Sequence, residues 1–540
     1  MNFDYRTLMR FLACLFTRRL WIYLLIALHW PLDSPAQYVR RENFANEHPR
    51  RARYELDDWV SYATTRSFSS MAVSTDYIFI ATRDGGILRY QIYQDYWDYP
   101  YTTSSGLPDN RIEDIVYDPR SAFLWVKTPR DVAYFDPAAR EWVRESENPG
   151  WIYQFPDSVP PVNPNVPFKE KFFGRNALFQ LPTYFANGMY NIQNDWLLMD
   201  SYFQEFPFIG YLVDRYDRIW FLIEGFGIGR GETYTQRADF FGVGLPDIFP
   251  RALAYQGDDL WFGGLANDRG GRPGIARWPY ERPEWDYFQA RRIPHLPNDN
   301  VAAIQVDGDS VWFGTDYGVS LFNAGKNTWR NIDETRGLVY NQVRDLAIMG
   351  DHLYAATEVG IGRINRFTGL AEKIKDARLI NLPTYRLAAQ GDTVWAATFR
   401  GIFRFTGARQ EWEFVPSRAA IQDLEVTAVS VFGNEAWFAS RGGIMGLNLQ
   451  TGDWESFPQV ALEIAGPYED ILATKEAVWA ATPEGLLKYD RERGYWKLFT
   501  TRDGLLDDHC RRLLLDGDYL WIVTDGGVTH FRWNSPYRID

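Results

Sequence analysis

The sequence predicts an all-β fold, a β-propeller of about ten to eleven four-stranded blades, from three observations. First, residues 311–319 (VWFGTDYGV) combine a strand of aromatic and β-branched residues with a tight glycine turn. Second, this motif recurs, with its aromatic anchors at Trp312, Tyr354, Trp395, Trp437, Trp479 and Trp521. Third, successive anchors are 41 or 42 residues apart, which is the length of one propeller blade.

One repeat, residues 301–342, shows the elements of a blade in chain order. Its four strands are residues 301–306, 310–315, 319–323 and 328–332. The Asp-Gly-Asp connection at 307–309 has the chemistry of a hairpin turn and joins the inner strand to the second. Gly318 gives the next turn the backbone freedom that it needs before the third strand. The outer strand carries Trp329 and leads into the next blade.

The other repeats fit this template to different degrees. Those after residue 342 fit closely, at residues 343–385, 386–426, 427–469 and 470–510. Those before residue 301 fit loosely, at residues 69–110, 111–147, 209–249 and 251–300. Because Trp125 and Trp220 are 95 residues apart, residues 170–207 are predicted to hold one degenerate blade. With the terminal repeat the count is about eleven, so the blades form either one unusually wide ring or two smaller propellers.

The last repeat, residues 511–540, stops before its outer strand. Residues 58–66 (DWVSYATTR) resemble residues 495–502 (YWKLFTTR), which form an outer strand inside the array, with Ala63 as one extra residue. We therefore predict that residues 58–66 complete the last blade. Closure by a strand from the N-terminus removes the open edges that a ring of blades cannot leave exposed.

The N-terminus has the pattern of a signal peptide at residues 1–36. Arg18 and Arg19 precede the apolar run 20–28, and Ser34 and Ala36 are the small residues that signal peptidase reads. The run is short for a membrane span, which needs roughly 20 residues, although an uncleaved anchor is the alternative. Residues 37–57 are predicted to be a polar linker and residues 58–540 the propeller repeats. No membrane span is predicted in the mature chain.

Charge and composition exclude several kinds of site. The net charge is −13 with acidic and basic residues interspersed, whereas a nucleic-acid partner would require a basic stripe. Two cysteines, Cys14 and Cys510, cannot build a disulfide framework or a cysteine metal site. His509 precedes Cys510, but adjacent residues of a strand point to opposite faces. The recurrent acidic turns are hairpin chemistry and not calcium loops. We therefore predict no catalytic residue, no metal site and no cofactor.

The repeat resembles a known family. Its core W-F-G-T-x-x-G-V-x-x-F at residues 312–322, followed by Trp329, Gly337-Leu338 and Asn341-x-Val343, looks like the two-component regulator propeller repeat. That repeat forms the periplasmic sensor half of bacterial hybrid histidine kinases, where it is thought to present a surface for glycan fragments. The chain is also similar to stand-alone propellers of the type IX secretion accessory kind. The resemblance covers nearly all of residues 58–540 and is strongest from 301 to 530.

The resemblance implies a bacterial protein of the periplasm or cell surface, with an envelope protein or a glycan as its partner. The chain departs from both groups, since the sequence shows no kinase, DNA-binding or membrane segment after the propeller and no C-terminal β-sandwich. A signalling role and a secretion role are therefore both left open by the sequence.

Candidate binding residues lie in the turns between second and third strands, which all emerge on one face of a ring. Arginine and aromatic side chains there are suited to stacking on and hydrogen bonding with sugars or peptides. The predicted binding residues are Arg83, Arg130, Arg269, Arg272, Tyr317, Phe399, Arg400 and Arg441. The Pro-rich segment 145–169 interrupts the period and is predicted to project as an interaction arm.

These observations favour an exported, non-enzymatic propeller that binds a protein or glycan and acts as a scaffold or ligand-presenting partner at the cell envelope. One alternative is a polysaccharide lyase or hydrolase, which needs a paired acid and base near the ring centre. The sequence offers isolated candidates such as Glu224 and Tyr317, with no sign that they meet. The other alternative is the detached periplasmic sensor of a signalling system.

Overall fold

Ten sheets of four or more strands make up the chain in the computed structural model, which describes residues 39–40, 53–65, 67–147, 172–267, 272–417, 421, 425–536 and 538. We number the blades along the chain. The strands of blades 1 to 3 are Phe68–Val73, Tyr77–Thr82, Ile87–Gln91 and Tyr96–Tyr101; Asp114–Asp118, Phe123–Lys127, Val132–Asp136 and Glu141–Arg144; Glu205–Val213, Arg218–Ile223, Gly227–Glu232 and Arg237–Gly242. Those of blades 4 to 6 are Ile248–Gln256, Asp259–Ala266, Ile275–Trp278 and Asp286–Phe288; Val301–Asp307, Ser310–Thr315, Gly318–Asn323 and Thr328–Ile332; Val343–Met349, His352–Thr357, Gly360–Asn365 and Ala371–Lys373.

The remaining blades follow the same order of strands. Those of blades 7 and 8 are Thr384–Gln390, Thr393–Thr398, Gly401–Thr406 and Glu411–Val415; Val426–Phe432, Glu435–Ser440, Gly443–Asn448 and Trp454–Pro458. Those of blades 9 and 10 are Asp470–Ala473, Ala477–Thr482, Gly485–Asp490 and Tyr495–Phe499; Cys510–Asp516, Tyr519–Thr524, Gly527–Arg532 and Trp59–Ala63. Short helical turns lie between strands at Thr103–Ser105, Glu145–Glu147, Arg175–Leu178, Glu334–Arg336 and Gln459–Leu462. The all-β propeller fold is confirmed.

Blades 4 to 10 form a closed ring of seven. The inner strands of successive blades contact one another, and the first blade of this set contacts the last. At that seam Leu253 and Phe262 of blade 4 pack with Trp521 and Val523 of blade 10. Blades 1 to 3 form a separate array in which blade 1 packs against both blade 2 and blade 3. The described residues therefore form neither one wide ring nor two closed propellers. They form a seven-bladed ring with a three-bladed array beside it.

The degenerate blade expected at residues 170–207 does not form a sheet of its own. Its short strands, Phe172–Phe173, Phe185–Ala186, Asn191–Ile192 and Leu197–Met199, belong to the sheet of blade 3. Trp196 and Leu198 are buried against Phe208 and Phe221 of that blade. Since these apolar side chains cover the flank of blade 3, the described residues contain ten blades instead of eleven.

The predicted closure by the N-terminal strand is confirmed. Trp59–Ala63 pairs in antiparallel register with the third strand of blade 10, from Trp59 opposite Phe531 to Ala63 opposite Gly527. The rings of Trp59 and Phe531 stack with centroids 3.7 Å apart. Ser61 and Thr529 share a buried hydroxyl hydrogen bond of 2.8 Å. Blade 10 is therefore built from both ends of the chain.

A second N-terminal segment also joins the ring. Val39–Arg40, inside the predicted linker 37–57, pairs in parallel with Trp496 and Lys497 of blade 9. The predicted signal peptide at 1–36 and most of the Pro-rich segment 145–169 lie outside the described residues. No helix among the described residues has the length and apolar character needed to cross a membrane.

The recurrent tryptophans hold neighbouring blades together. The side chains of this position are at most 3% exposed in Trp312, Trp395, Trp437, Trp479 and Trp521. Trp395 of blade 7, for example, lies 5.6 Å from Phe438 of blade 8 between ring centroids. In these five copies the position is buried between blades, so its main role is packing.

Steric crowding explains why a glycine follows the second strand of the repeat. Gly318 has φ of +109°, and a Cβ added there would lie 2.5 Å from the carbonyl oxygen of Ile332. Thr315 closes the same turn by donating its hydroxyl to the Gly318 carbonyl oxygen at 2.9 Å. The T-x-x-G motif thus fixes the turn backbone, and only its two middle residues are free to vary.

Residues 58–66 are expected to be required for a stable ring. A chain that begins at Ser67 leaves the strand Gly527–Arg532 as an open edge and removes the buried Trp59 side chain. We expect a lower melting temperature and aggregation, measured by thermal unfolding and size-exclusion chromatography. A monomeric protein with unchanged melting would contradict the closure.

The seam is also expected to depend on pH through His530. Burial lowers the pKa of His530 to about 4, although the nearby Asp516 opposes the shift. Neutral His530 stacks between Tyr519 and Trp521 at 4.5 and 4.2 Å, and the unfolded chain binds a proton there at its ordinary pKa near 6.5. The contribution is therefore present above pH 6.5 and lost as the pH falls toward 4, by roughly 2–4 kcal/mol.

The variant His530→Gln isolates this contribution. Its free energy of unfolding should fall less than that of the natural protein between about pH 7 and about pH 4.5. Chemical denaturation at the two pH values measures the difference. Parallel pH profiles of the two proteins would show that His530 does not titrate in this window.

Candidate functional site

The turns between second and third strands of blades 5 to 10 lie on one face of the ring, which we call the turn face. Each inner strand begins at this face, because its first residues pair with the end of the second strand, as Val301 pairs with Thr315. The turn residues therefore surround the mouth of the central channel. Their backbone is fixed by the T-x-x-G turn, so the side chains project from a rigid rim.

Four predicted binding residues lie on the turn face. Tyr317 is in blade 5, Phe399 and Arg400 are in blade 7, and Arg441 is in blade 8. All four are exposed, and the exposed fractions of Tyr317 and Phe399 are 57% and 48%. Phe399 and Arg441 occupy the same turn position of neighbouring blades, so they are adjacent along the rim.

The other predicted residues lie elsewhere. Arg83 and Arg130 are exposed turn residues of blades 1 and 2, outside the ring, and Arg130 pairs with Asp109 at 3.0 Å. Arg269 lies outside the described residues. The eight residues therefore do not surround one shared mouth, because three of the blades are not part of the ring.

Arg272 does not lie at the mouth. Only 9% of it is exposed, and its guanidinium lies over the rings of Tyr287 and Phe206 at 4.2 and 5.0 Å. It donates to the carbonyl oxygen of Phe226 in blade 3 at 3.0 Å. Stacking on aromatic faces offsets the cost of burying the cation, so Arg272 ties blade 3 to blade 4 inside the molecule.

The structure shows charged residues at the mouth that the sequence analysis missed. The inner strands of blades 6, 7 and 10 begin with a bulge, so two consecutive residues reach the channel at different depths. The three pairs are Arg344 and Asp345, Tyr385 and Arg386, and Arg511 and Arg512, and Glu469 and Asp470 stand at the corresponding positions of blade 9. The pairs recur with the blade period, which is the sequence signal that could have revealed them.

The upper layer forms a mouth cluster of Arg251, Glu469, His509, Arg511 and Asp525. Asp525 accepts two hydrogen bonds from Arg511, at 2.9 and 3.0 Å, and one from Arg251 at 3.1 Å. Its other neighbour is His509 Nδ1 at 3.1 Å. Burial raises the pKa of Asp525, but the hydrogen bonds and charge of Arg511 outweigh this effect and lower it. The mouth therefore holds a fixed carboxylate between two guanidiniums.

The lower layer forms a channel cluster of Asp345, Arg386, Asp470 and Arg512. Arg512 of blade 10 reaches Asp345 of blade 6 at 2.7 Å, so this ion pair spans the channel. Arg512 and Arg386 also lie 3.7 and 3.9 Å from Asp470. Burial raises the pKa of Asp470 in spite of both guanidiniums, whereas Asp345 and Asp470 together hold the pKa of Arg512 above its usual range against burial.

Both acids of the channel cluster also bind backbone of the next blade. Asp345 accepts from the Leu387 amide at 2.8 Å, and Asp470 accepts from the Leu513 amide at 3.0 Å. The cluster thus fixes the spacing of inner strands while it fills the centre of the ring. A ligand on the turn face meets the mouth cluster first.

His509 and Cys510 point to opposite sides of their strand, as expected. Cys510 is fully buried in the core between blades 9 and 10, while His509 faces the mouth. The isolated candidates for an enzyme, Glu224 and Tyr317, are not brought together, since Glu224 is in blade 3 and accepts from the Phe68 amide at 3.0 Å. An acid–base pair exists instead between His509 and Asp525, beside Arg511.

Channel ion pairing is expected to matter for stability. Arg512→Met leaves Asp345 buried without its cation, which should cost about 3 kcal/mol of unfolding free energy. The double variant with Asp345→Asn keeps an oxygen for the Leu387 amide and removes the unpaired charge, so it should lose less than the sum of the single variants. Chemical denaturation measures this coupling, and strictly additive losses would contradict it.

Comparison with known proteins identifies the fold. No protein-family model and no curated protein matches the chain. The solved structures that match include PorZ, a bacterial surface component of the type-IX secretion system of Porphyromonas gingivalis. PorZ is 14% identical, the match covers 88% of this chain and 87% of that chain, and the TM-score is 0.55.

Extracellular domains from B. thetaiotaomicron match as well. The BT4673 domain is 13% identical over 87% of this chain and 71% of that chain, with a TM-score of 0.42. The BT3049 domain, assigned to a hybrid two component system, is 14% identical over 89% and 77%, with a TM-score of 0.35. These are the two kinds of protein that the repeat resembles, and the match to PorZ shows the propeller fold.

Proposed function

We propose that the protein is an exported, non-enzymatic propeller that binds a protein or glycan partner at the cell envelope through its turn face. One observation carries the proposal. The side chains of Phe399, Arg400 and Arg441 are exposed on adjacent rigid turns, while the tryptophans of the same repeats are buried. An aromatic ring with arginines beside it is the composition that dominates binding energy at interfaces.

The turns are preorganised for contact. The Phe399 amide donates to the Pro383 carbonyl oxygen at 3.0 Å, and the Arg400 amide lies 3.3 Å from the Thr398 hydroxyl. Because this backbone is already ordered, a partner has to immobilise only the side chains. The mouth cluster adds carboxylate and guanidinium groups that can accept from and donate to a polar partner at the centre of the face.

Two observations support a location in the cell envelope. The N-terminal sequence has the order of a signal peptide, and the fold is shared with PorZ, a surface component of a secretion system. Both support placement in the periplasm or at the cell surface, with an envelope protein or glycan as the partner. A scaffold or ligand-presenting role follows from a rigid ring whose variable residues are confined to turns.

An enzyme is the second candidate, and the mouth cluster is the observation that favours it. The Asp525 carboxylate lies 3.1 Å from His509 Nδ1 and holds the ring in place, and Arg511 lies on the same carboxylate. A histidine oriented by a carboxylate beside an arginine is suited to act as a general base on an acidic polysaccharide. This would be a lyase or hydrolase at the ring centre.

The turn face is tested with a triple variant. Once a partner is captured from envelope extract, Phe399→Ala, Arg400→Ala and Arg441→Ala together should weaken its binding by more than about tenfold. The melting temperature should not change, because all three side chains are exposed. Arg83→Ala with Arg130→Ala is the matched control, since these turn residues lie outside the ring.

Two further results separate the alternatives. Undiminished binding by the triple variant would place the site elsewhere, and the Pro-rich segment 145–169 would be examined next. His509→Gln should leave partner binding intact if the protein is a scaffold. If His509→Gln instead abolishes release of unsaturated or reducing sugar from a bound polysaccharide, the protein is an enzyme.

A further inference from the structure

A groove of about 380 Å³ lies between blades 7 and 8, on the side of the ring opposite the turn face. Its position follows from its lining, which comes from the ends of strands next to the other set of turns. The residues that matter are Thr393, Trp395, Arg404 and Arg409 of blade 7 and Val431 and Leu449 of blade 8. Its volume is within the range of about 300–1,000 Å³ that is typical of small-molecule sites.

Trp395 beside the groove has fewer aromatic neighbours than the corresponding Trp261 of blade 4. Between blades 4 and 5, Trp261 packs against Phe288 and Phe322 at 5.4 and 5.6 Å. The strand pairing of blades 7 and 8 puts Val415 and Leu447 at those two positions. Trp395 therefore packs against aliphatic side chains where Trp261 packs against rings, and the groove beside it is bounded on the blade 8 side by Val431 and Leu449.

The groove between blades 7 and 8 differs in one charged residue from the equivalent interface between blades 4 and 5. In blade 4, Arg277 lies 5.5 Å over the Trp261 ring and pairs with two acids, Asp286 at 2.7 Å and Asp259 at 3.8 Å. Asp259 is two residues before the tryptophan. The corresponding residue in blade 7 is Thr393.

Blade 7 keeps the rest of this arrangement. Arg404 lies 5.3 Å over the Trp395 ring and donates to Glu413 at 2.8 Å. Arg409 pairs with the same Glu413 carboxylate. Arg404 Nε is buried, and it has no hydrogen-bond partner among the described residues. The guanidiniums of Arg404 and Arg409 thus share the carboxylate of Glu413, which is the only acid in the described part of the chain that pairs with either of them.

Blade 8 shows what fits at the position of Thr393. The corresponding residue there is Glu435, which accepts from Trp437 Nε1 at 2.9 Å and from Arg491 at 2.6 Å. In blades 4 and 8, therefore, this position brings a carboxylate to a guanidinium over the tryptophan ring, which comes from Arg277 of the same blade in the first case and from Arg491 of blade 9 in the second. In the groove between blades 7 and 8 the chain itself does not supply that carboxylate.

We propose that this groove binds a small ligand through a carboxylate, which pairs with Arg404 in the place that Asp259 and Glu435 occupy in the sibling blades. The charge-assisted contact is made with the guanidinium of Arg404, whose side chain is 37% exposed, and Arg409 lies at the rim as a second cation. The groove is on the opposite side of the ring from the turn face, so a change that abolishes binding at one site should leave binding at the other unchanged.

The test uses two acids and their neutral counterparts. D-galacturonate represents an acidic sugar and N-acetyl-L-glutamate an acidic amino-acid side chain, and D-galactose and N-acetyl-L-glutamine are the matched neutral probes. Saturation-transfer NMR with titration should show at least one acid binding with a Kd of roughly 1 mM or tighter. Its neutral counterpart should bind at least about tenfold more weakly. The acid that binds better identifies the source of the carboxylate.

Thr393→Glu is the decisive variant, because it supplies the missing carboxylate from the chain. It should weaken binding of the acid by more than about tenfold while its melting temperature stays the same or rises. Ser310→Glu makes the same change at the same position of blade 5, where it should not affect binding. The proposal is overturned if neither acid binds at about 10 mM, if the neutral probes bind equally, or if Thr393→Glu binds the acid like the natural protein.

Discussion

The antiparallel pairing of Trp59–Ala63 with the last blade is the contact on which the ring depends. It joins residues more than 460 positions apart in the chain, as the 468-residue separation of Ser61 and Thr529 shows. Closing so long a loop costs little more than closing one half as long, because the entropy of loop closure grows only with the logarithm of length. The gain is large, since the pairing buries Trp59 and leaves blade 10 without an open edge.

Ring closure is also what makes the channel chemistry possible. Arg512 and Asp345 belong to blades on different sides of the ring, and they meet at 2.7 Å only because seven inner strands enclose a narrow centre. A buried ion pair of this kind contributes little net stability, since desolvation offsets attraction. Its effect is to penalise other arrangements, because a ring with a different blade count would leave Asp345 buried without its partner.

The sequence predicted the parts of the fold that repeat. The blade period, the T-x-x-G turns and the closing strand are local patterns, and each was visible because every blade solves the same packing problem. The division into seven ring blades and three others was not predictable, because the motif is alike in both sets and ring closure depends on contacts between distant blades. The segment at 170–207 was read as a blade from spacing alone, although its strands are too short to form one.

The residues of the candidate site were likewise predictable only in part. The motif places the turns of the ring, which made four turn residues predictable, Tyr317, Phe399, Arg400 and Arg441. The buried position of Arg272 was not predictable, because no local pattern reveals its aromatic neighbours. The channel cluster was not predicted because its members are brought together only by the ring, and Asp345 and Arg512 are 167 positions apart in the chain. The recurrence of charged pairs at the start of inner strands was nonetheless present in the sequence.

Comparison among blades also shows when a missing carboxylate creates a site. Blade 9 has Ala477 two residues before its tryptophan, and Lys488 lies over the Trp479 ring at 5.4 Å, much as Arg404 lies over Trp395. There Trp533 packs against Trp479 at 5.8 Å and covers the cation, so only 8% of Lys488 is exposed. In blade 7 the neighbouring positions are Val431 and Leu449, and the cation faces a groove. Loss of the carboxylate alone thus leaves the cation of blade 9 covered by a ring, whereas in blade 7 an aliphatic residue, Leu449, stands at the position of Trp533.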